Sequence, residues 1–289
     1  MGKVGQRRLK RLVAGATVTY VAVCVVVAFL QRHLIYFPAR EYHGTPGDIG
    51  LHYEDVRFDT SDHVQLSGWW VPVRDSNGAN ATAAATDRLT ILFFHGNAGN
   101  ISHRLEKLEL LNRMGCNLLL VDYRGYGRSD GQPSETGTYL DARAAWEHVT
   151  QSRAVSPDRI ILFGESLGGA VAIELAGHVQ PAGLIVESTF TSLADVARIH
   201  YPLLPTRWLL RYRYDSIARI GLVRCPKIHV HGRDDSLVPI ELARRLFDAA
   251  SQPKQFIETP GGHNESGFLF DRNATEMLGQ WFEERRTKS

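Results

Sequence analysis

The chain has 289 residues, 44% hydrophobic and 22% charged, enough to bury the core of one catalytic unit and to carry an appendage. The formal net charge is +2, but Lys3, Arg7, Arg8, Lys10 and Arg11 supply five of the cations, and the remainder sets 28 basic against 31 acidic residues. So faintly acidic a body excludes nucleic acid as an expected partner. Cys24, Cys116 and Cys225 are too few for a disulfide framework and lack metal-ligand spacing. They read as buried thiols, with a Cys116–Cys225 pair as the alternative outside the cytoplasm.

Residues 12–30 (LVAGATVTYVAVCVVVAFL) contain no charge, and at 1.5 Å per residue they reach about 30 Å, the thickness of a hydrocarbon core. They predict one transmembrane helix. A cleavable signal peptide is the alternative, but its apolar region is shorter and ends in a small-x-small site, whereas this one runs into Phe29-Leu30-Gln31-Arg32-His33. Of the charges that follow closely, only Arg32 and Arg40 are basic. The positive-inside rule therefore places 1–11 in the cytoplasm and the catalytic part on the far side. His33 to Pro38 reads as an aromatic interface and a stop, within a linker at 31–50. Residues 51–289 form the expected catalytic domain.

Tyr53 to Asp59 and Val64 to Val73 alternate as two strands of a hairpin, with Trp69 and Trp70 on opposite faces. Asp75 to Arg88 holds no large apolar residue and reads as an exposed excursion. Strand-like and helix-like segments then alternate: Leu89 to Phe94, Ser102 to Met114, Asn117 to Asp122, Thr136 to Gln151 and Asp158 to Phe163. This order predicts a mostly parallel sheet with helices on both faces. Between residues 190 and 224 the alternation pauses in an apolar, proline-interrupted stretch, read as a small helical cap, with Arg207 to Tyr214 as a basic aromatic helix. It resumes with Lys227 to Val230, Ile240 to Ala250, Gln255 to Glu258 and Arg272 to Arg285.

At the centre stands Gly164-Glu165-Ser166-Leu167-Gly168, where a β-branched run gives way to an Ala-rich helical one. A serine on such a turn needs a strained backbone, tolerable only where the residues two before and two after it lack side chains. Gly164 and Gly168 meet that need. A hydroxyl nucleophile then requires a base, an acid that orients the base, and donors for an oxyanion. His263, in a glycine-rich turn after the last strand, is the expected base. Glu187, Asp234 and Asp235 are candidates for the acid, and a carboxylate after the penultimate strand favours the aspartates. His95 and His231, each before a glycine at a strand end, read as loop-binding residues. The N-x-S/T sequons at Asn80, Asn100, Asn264 and Asn273 read as chance matches, since two abut these loops.

The ordered segments HGNAGN, DYRGYGRSDGQPSE, GESLGG, HGRDDSLVP and GGHN resemble the α/β-hydrolase family. Within it they are similar to the membrane-anchored bud-emergence-type serine hydrolases, with an aminopeptidase-like hydrolase domain. The resemblance covers roughly Leu51 to Phe282. It implies an α/β-hydrolase fold with Ser166 as nucleophile, Asp235 as orienting acid, His263 as general base, and the backbone amides of Asn97 and Leu167 as the oxyanion hole. It calls for no cofactor and no metal.

The expected reaction is acyl transfer to water. Leu203, Leu204, Trp208 and Leu209 are the expected acyl-binding residues, and an ester, thioester or lipid-like substrate with an apolar acyl group is the expected partner. Amide hydrolysis is the runner-up; it would need Glu187 or Asp234 to hold an α-amine. A non-catalytic membrane-tethered scaffold is the third reading. For Arg207 to Tyr214 the choice lies between an acyl lid with solvated arginines and a surface lying on anionic headgroups.

Overall fold

The charge-free run predicted to span a membrane lies inside one long helix, Lys3–Ile35 (α1), in a computed structural model that describes residues 3–73 and 88–287. This helix is long and apolar enough to cross a bilayer. The excursion expected from Asp75 lies outside the described residues, except for Arg88. Residues 31–50, expected to be a linker, pack onto the fold. Phe37–Pro38 (β1) follows α1, and Tyr36 between them is only 3% exposed.

Next come the hairpin strands Glu54–Asp59 (β2) and Gln65–Val71 (β3), then Thr90–Phe94 (β4) and the short Ala98–Gly99 (β5), which pairs in parallel with β1. Leu105–Arg113 (α2), Asn117–Val121 (β6), Glu135–Glu147 (α3), Ile160–Glu165 (β7), Leu167–Ala176 (α4) and Gly183–Glu187 (β8) continue the alternation. The cap between β8 and the next strand contains Leu193–His200 (α5) and Thr206–Leu209 (α6). Lys227–Gly232 (β9), Ile240–Ala249 (α7), Lys254–Thr259 (β10) and Arg272–Arg286 (α8) close the chain.

The main sheet has eight strands in the order β10-β9-β8-β7-β4-β6-β3-β2. Pairing is parallel from β10 to β6 and antiparallel for β3 and β2. Because central strands are covered on both faces, β4, β6 and β8 are buried at every position. Side chains alternate between two cores: Leu92 and Phe94 belong to one with Ala142, Val171 and Leu246, whereas Ile91 and Phe93 belong to the other with Leu108, Leu278 and Phe282. Trp70 joins the first core and its neighbour Trp69 the second, as their opposite faces require.

The cap departs from expectation. Instead of a helix from Arg207 to Tyr214, α6 stops at Leu209, and Leu210 is already extended. The physical reason is competition for the backbone. The Arg211 amide donates to Gln31 Oε1 at 2.7 Å, and those of Arg213 and Tyr214 donate to the Glu135 carboxylate at 2.6 and 2.9 Å. Distant side chains thus take the donors that a longer helix would use.

Candidate active site

The parallel strands deliver their carboxyl ends to one edge of the sheet, where the loop after β4 carries Asn97, the turn after β7 Ser166, the loop after β9 Asp235 and the turn after β10 His263. Ser166 sits at φ 49°, ψ −113°. Its strain is held from three sides: its amide donates to the Glu187 carbonyl at 2.8 Å, and its own carbonyl accepts from the Gly169 amide at 3.0 Å and from Thr189 Oγ1 at 2.8 Å. The flanking glycines are steric necessities. A Cβ on Gly164 would stand 2.3 Å from the Gly168 carbonyl oxygen, and one on Gly168 would stand 2.1 Å from that of Phe94.

His263 bridges the other two groups, with Nε2 3.0 Å from Ser166 Oγ and Nδ1 2.7 Å from Asp235 Oδ2. The other oxygen of Asp235 accepts from the amides of Leu237 and Val238 at 2.9 and 2.8 Å. Burial opposes ionisation of Asp235, but hydrogen bonds from His231 and His263 and from the Val238 amide outweigh it and hold the carboxyl well below the usual carboxylate range. An acceptor-only carboxylate fixes the proton on His263 Nδ1 and leaves the Nε2 lone pair facing the serine hydroxyl.

The other two acid candidates stand apart from His263. Asp234 is exposed, and Glu187 is buried against Lys107 at 2.6 Å. Lys107 also pairs with Glu165, which accepts from Arg104 Nε at 2.5 Å. Burial would raise the Glu165 pKa, but these two cations lower it to about 2, whereas Glu187, also buried, is raised. His95 Nδ1 bonds the Gly96 carbonyl at 2.7 Å and His231 Nε2 that of Val238 at 2.7 Å, as expected of loop-binding residues; His231 Nε2 is also 3.3 Å from Asp235 Oδ2. Fully buried Asn100 bonds the Ala39 and Glu41 carbonyls, which leaves no room for a glycan. The cysteines are free, so no Cys116–Cys225 bridge forms.

Ser166 opens on a cavity of about 820 Å³, which Asn97 and Leu167 also line. Among the described residues neither of their backbone amides donates to a protein acceptor. Leu204, Leu209 and Leu210 form the cap wall. Leu203 and Trp208, expected beside them, do not line it: they point outward, 85% and 88% exposed. The short α6 turns its Leu209 edge inward and its Trp208 edge out. The sequence reading missed the opposite wall, formed by Val27, Gln31, Leu34 and Ile35 of α1. A signal for it was present in Gln31, an amide at the end of an apolar run that is buried rather than solvated. No acidic residue lines the cavity among those described, and the described residues hold no cluster fit to bind a metal ion.

A mostly parallel sheet with a serine, a histidine and an aspartate on its strand-end loops defines the class, and sequence comparison agrees. Residues 85–218 match the family described as serine aminopeptidase, S33. An uncharacterized protein of Mycobacterium tuberculosis is 40% identical, across 96% of this chain and 97% of its own length. The alpha/beta hydrolase domain-containing protein WAV2 of Arabidopsis thaliana is 32% identical, across 91% and 92%. An uncharacterized membrane protein of Saccharomyces cerevisiae is 30% identical, across 90% and 92%. An esterase of Pyrococcus furiosus shares the fold, with a TM-score of 0.69 and 23% identity over 87% of this chain and 98% of its own. The chain belongs to the α/β-hydrolase family.

Proposed function

We propose that the protein is a membrane-anchored serine hydrolase of the bud-emergence type that cleaves an ester or thioester with an apolar acyl group. The observation that carries this is the Ser166–His263–Asp235 hydrogen-bond chain opening on a cavity lined mostly by apolar side chains, with no carboxylate among the described residues. In this reading Ser166 Oγ attacks the acyl carbon while His263 Nε2 takes its proton, and Asp235 holds the imidazolium that results. The amides of Asn97 and Leu167 receive the oxyanion. His263 returns the proton to the departing alcohol or thiol, and water repeats the cycle on the acyl-serine to release the acid. The apolar helix serves as anchor, with the N-terminus in the cytoplasm and residues 51–289 on the other side.

The family's aminopeptidase description keeps amide hydrolysis as the second reading. An aminopeptidase must neutralise an α-ammonium group, yet Glu187 is committed to Lys107 and Asp234 is exposed away from the cavity. The ester reading is therefore the better supported. A fluorophosphonate probe followed by matched acyl esters, thioesters and aminoacyl amides tests it. The reading expects labelling with turnover of esters or thioesters; turnover of amides alone transfers the function to a peptidase, and no labelling at all returns the scaffold.

A further inference from the structure

Tyr20, Cys24, Val27, Gln31 and Ile35 recur every three or four residues along α1, so they share one stripe of the helix. That stripe is stitched to the cap. Tyr20 Oη donates to the Leu203 carbonyl at 2.9 Å, and Gln31 Nε2 donates to that of Leu209 at 3.0 Å while its Oε1 accepts from the Arg211 amide. At 1.5 Å per residue, the stretch from Tyr20 to Ile35 covers about 22 Å. Val27 lies within the charge-free run between Arg11 and Arg32, and Ile35 lies beyond it. Both line the cavity that contains Ser166. The cavity therefore begins at the serine and ends against a part of the helix with the composition of hydrocarbon-embedded chain.

The outside of the cap fits the same placement. Tyr201, Leu203 and Trp208 are 61%, 85% and 88% exposed, an apolar rim beside the helix that suits a bilayer better than water. The cavity volume, about 820 Å³, lies in the range of roughly 300–1,000 Å³ that takes one drug-sized molecule, enough for one acyl chain.

We propose that α1 is a wall of the acyl site as well as an anchor, and that the substrate is a single-chain lipid ester of the adjoining leaflet. Its chain enters sideways between α1 and the cap, with its carbonyl at Ser166 and its tail along Val27. The proposal rests on the acyl-hydrolase reading above and adds the source of the substrate and the part of the chain that selects it.

The test uses the full-length protein in phosphatidylcholine vesicles, with monooleoylglycerol in the same bilayer and p-nitrophenyl butyrate in the water. Val27→Trp blocks the cavity where it meets the span. It should lower the ratio of oleoyl to butyryl turnover by roughly tenfold or more, since one methylene in an apolar pocket already changes discrimination by roughly 10–200-fold. Val27→Met, a milder intrusion, should lower the same ratio less and keeps the test readable if the tryptophan variant misfolds. An unchanged ratio in a folded variant overturns the proposal. So does a wild type that hydrolyses butyrate but leaves bilayer monooleoylglycerol intact, a result under which the acyl-hydrolase reading still stands. A wild type inert toward both esters locates the failure in that reading itself.

Discussion

The Asn97 side chain donates from Nδ2 to the carbonyl of Ile35, the last residue of α1, at 2.8 Å. The bond is returned next door: the Phe37 amide and Tyr126 Oη both donate to the Asn97 carbonyl, at 3.0 and 2.7 Å. The residue whose backbone amide is proposed to hold the oxyanion is thus positioned by the end of α1. A chain beginning at Tyr36 loses that carbonyl and one cavity wall. We expect its kcat/KM for soluble p-nitrophenyl butyrate to fall by roughly 10²-fold or more, the usual effect of losing one oxyanion donor. Full activity in the shortened chain would mean that the helix does not position Asn97.

Asp235 and Asp234 are neighbours in sequence with opposite fates, one buried against His263 and the other exposed. Asp235→Asn should lower kcat by roughly 10⁴-fold, because an amide at that place favours the wrong imidazole tautomer. Asp234→Asn should change kcat by less than about threefold, since it alters an exposed surface group. Steady-state rates on one ester rank the two variants, and the reverse order would move the acid to Asp234.

Lys107 is buried between Glu165 and Glu187, directly beneath the serine turn. Lys107→Met leaves both carboxylates without their shared cation and should cost about 3–5 kcal/mol of stability. Adding Glu187→Gln should restore part of that loss, because it removes the carboxylate left without a cation, while Glu165 keeps Arg104. Denaturant unfolding of the single and double variants measures the coupling.

His229 is buried with its Nε2 unpartnered among the described residues, and burial, followed by repulsion from Lys227 and Lys254, lowers its pKa to about 3. A histidine depressed on folding contributes stability that is present above its unfolded pKa of about 6.5 and is lost as pH falls below it. The stability of the wild type relative to His229→Phe should therefore fall by about 1.4 kcal/mol per pH unit between roughly pH 6 and pH 4. Taking the difference between the two proteins removes the opposing contribution of Asp122, whose pKa burial raises to about 6 and which gains protons on folding over the same window. A pH-independent difference would show that His229 is protonated in the native state or solvated there.

Much of this was legible from the residues alone. A serine between glycines at a strand-to-helix junction has one steric solution, and a histidine in a glycine turn after the last strand can reach it because parallel strands end on one edge. Choosing Asp235 over Asp234 required the family resemblance, since spacing alone does not say which of two adjacent side chains faces inward. The contact between α1 and the cap was hidden for a different reason: in a helix apolar on every side, hydropathy cannot distinguish a face that meets protein from one that meets lipid. The helix expected at Arg207 to Tyr214 failed because local periodicity carries no information about Glu135, 78 residues from Arg213, which takes two of its amides.

In the proposed reaction Ser166 carries the acyl group. Acid-quenched turnover of p-nitrophenyl butyrate, followed by digestion and mass spectrometry, tests it at the bond itself. The expected result is a butyryl adduct on the peptide containing Ser166, absent from Ser166→Ala, which should also lose turnover while unfolding like the wild type. Turnover that persists in Ser166→Ala, or an adduct on a different residue, would contradict it.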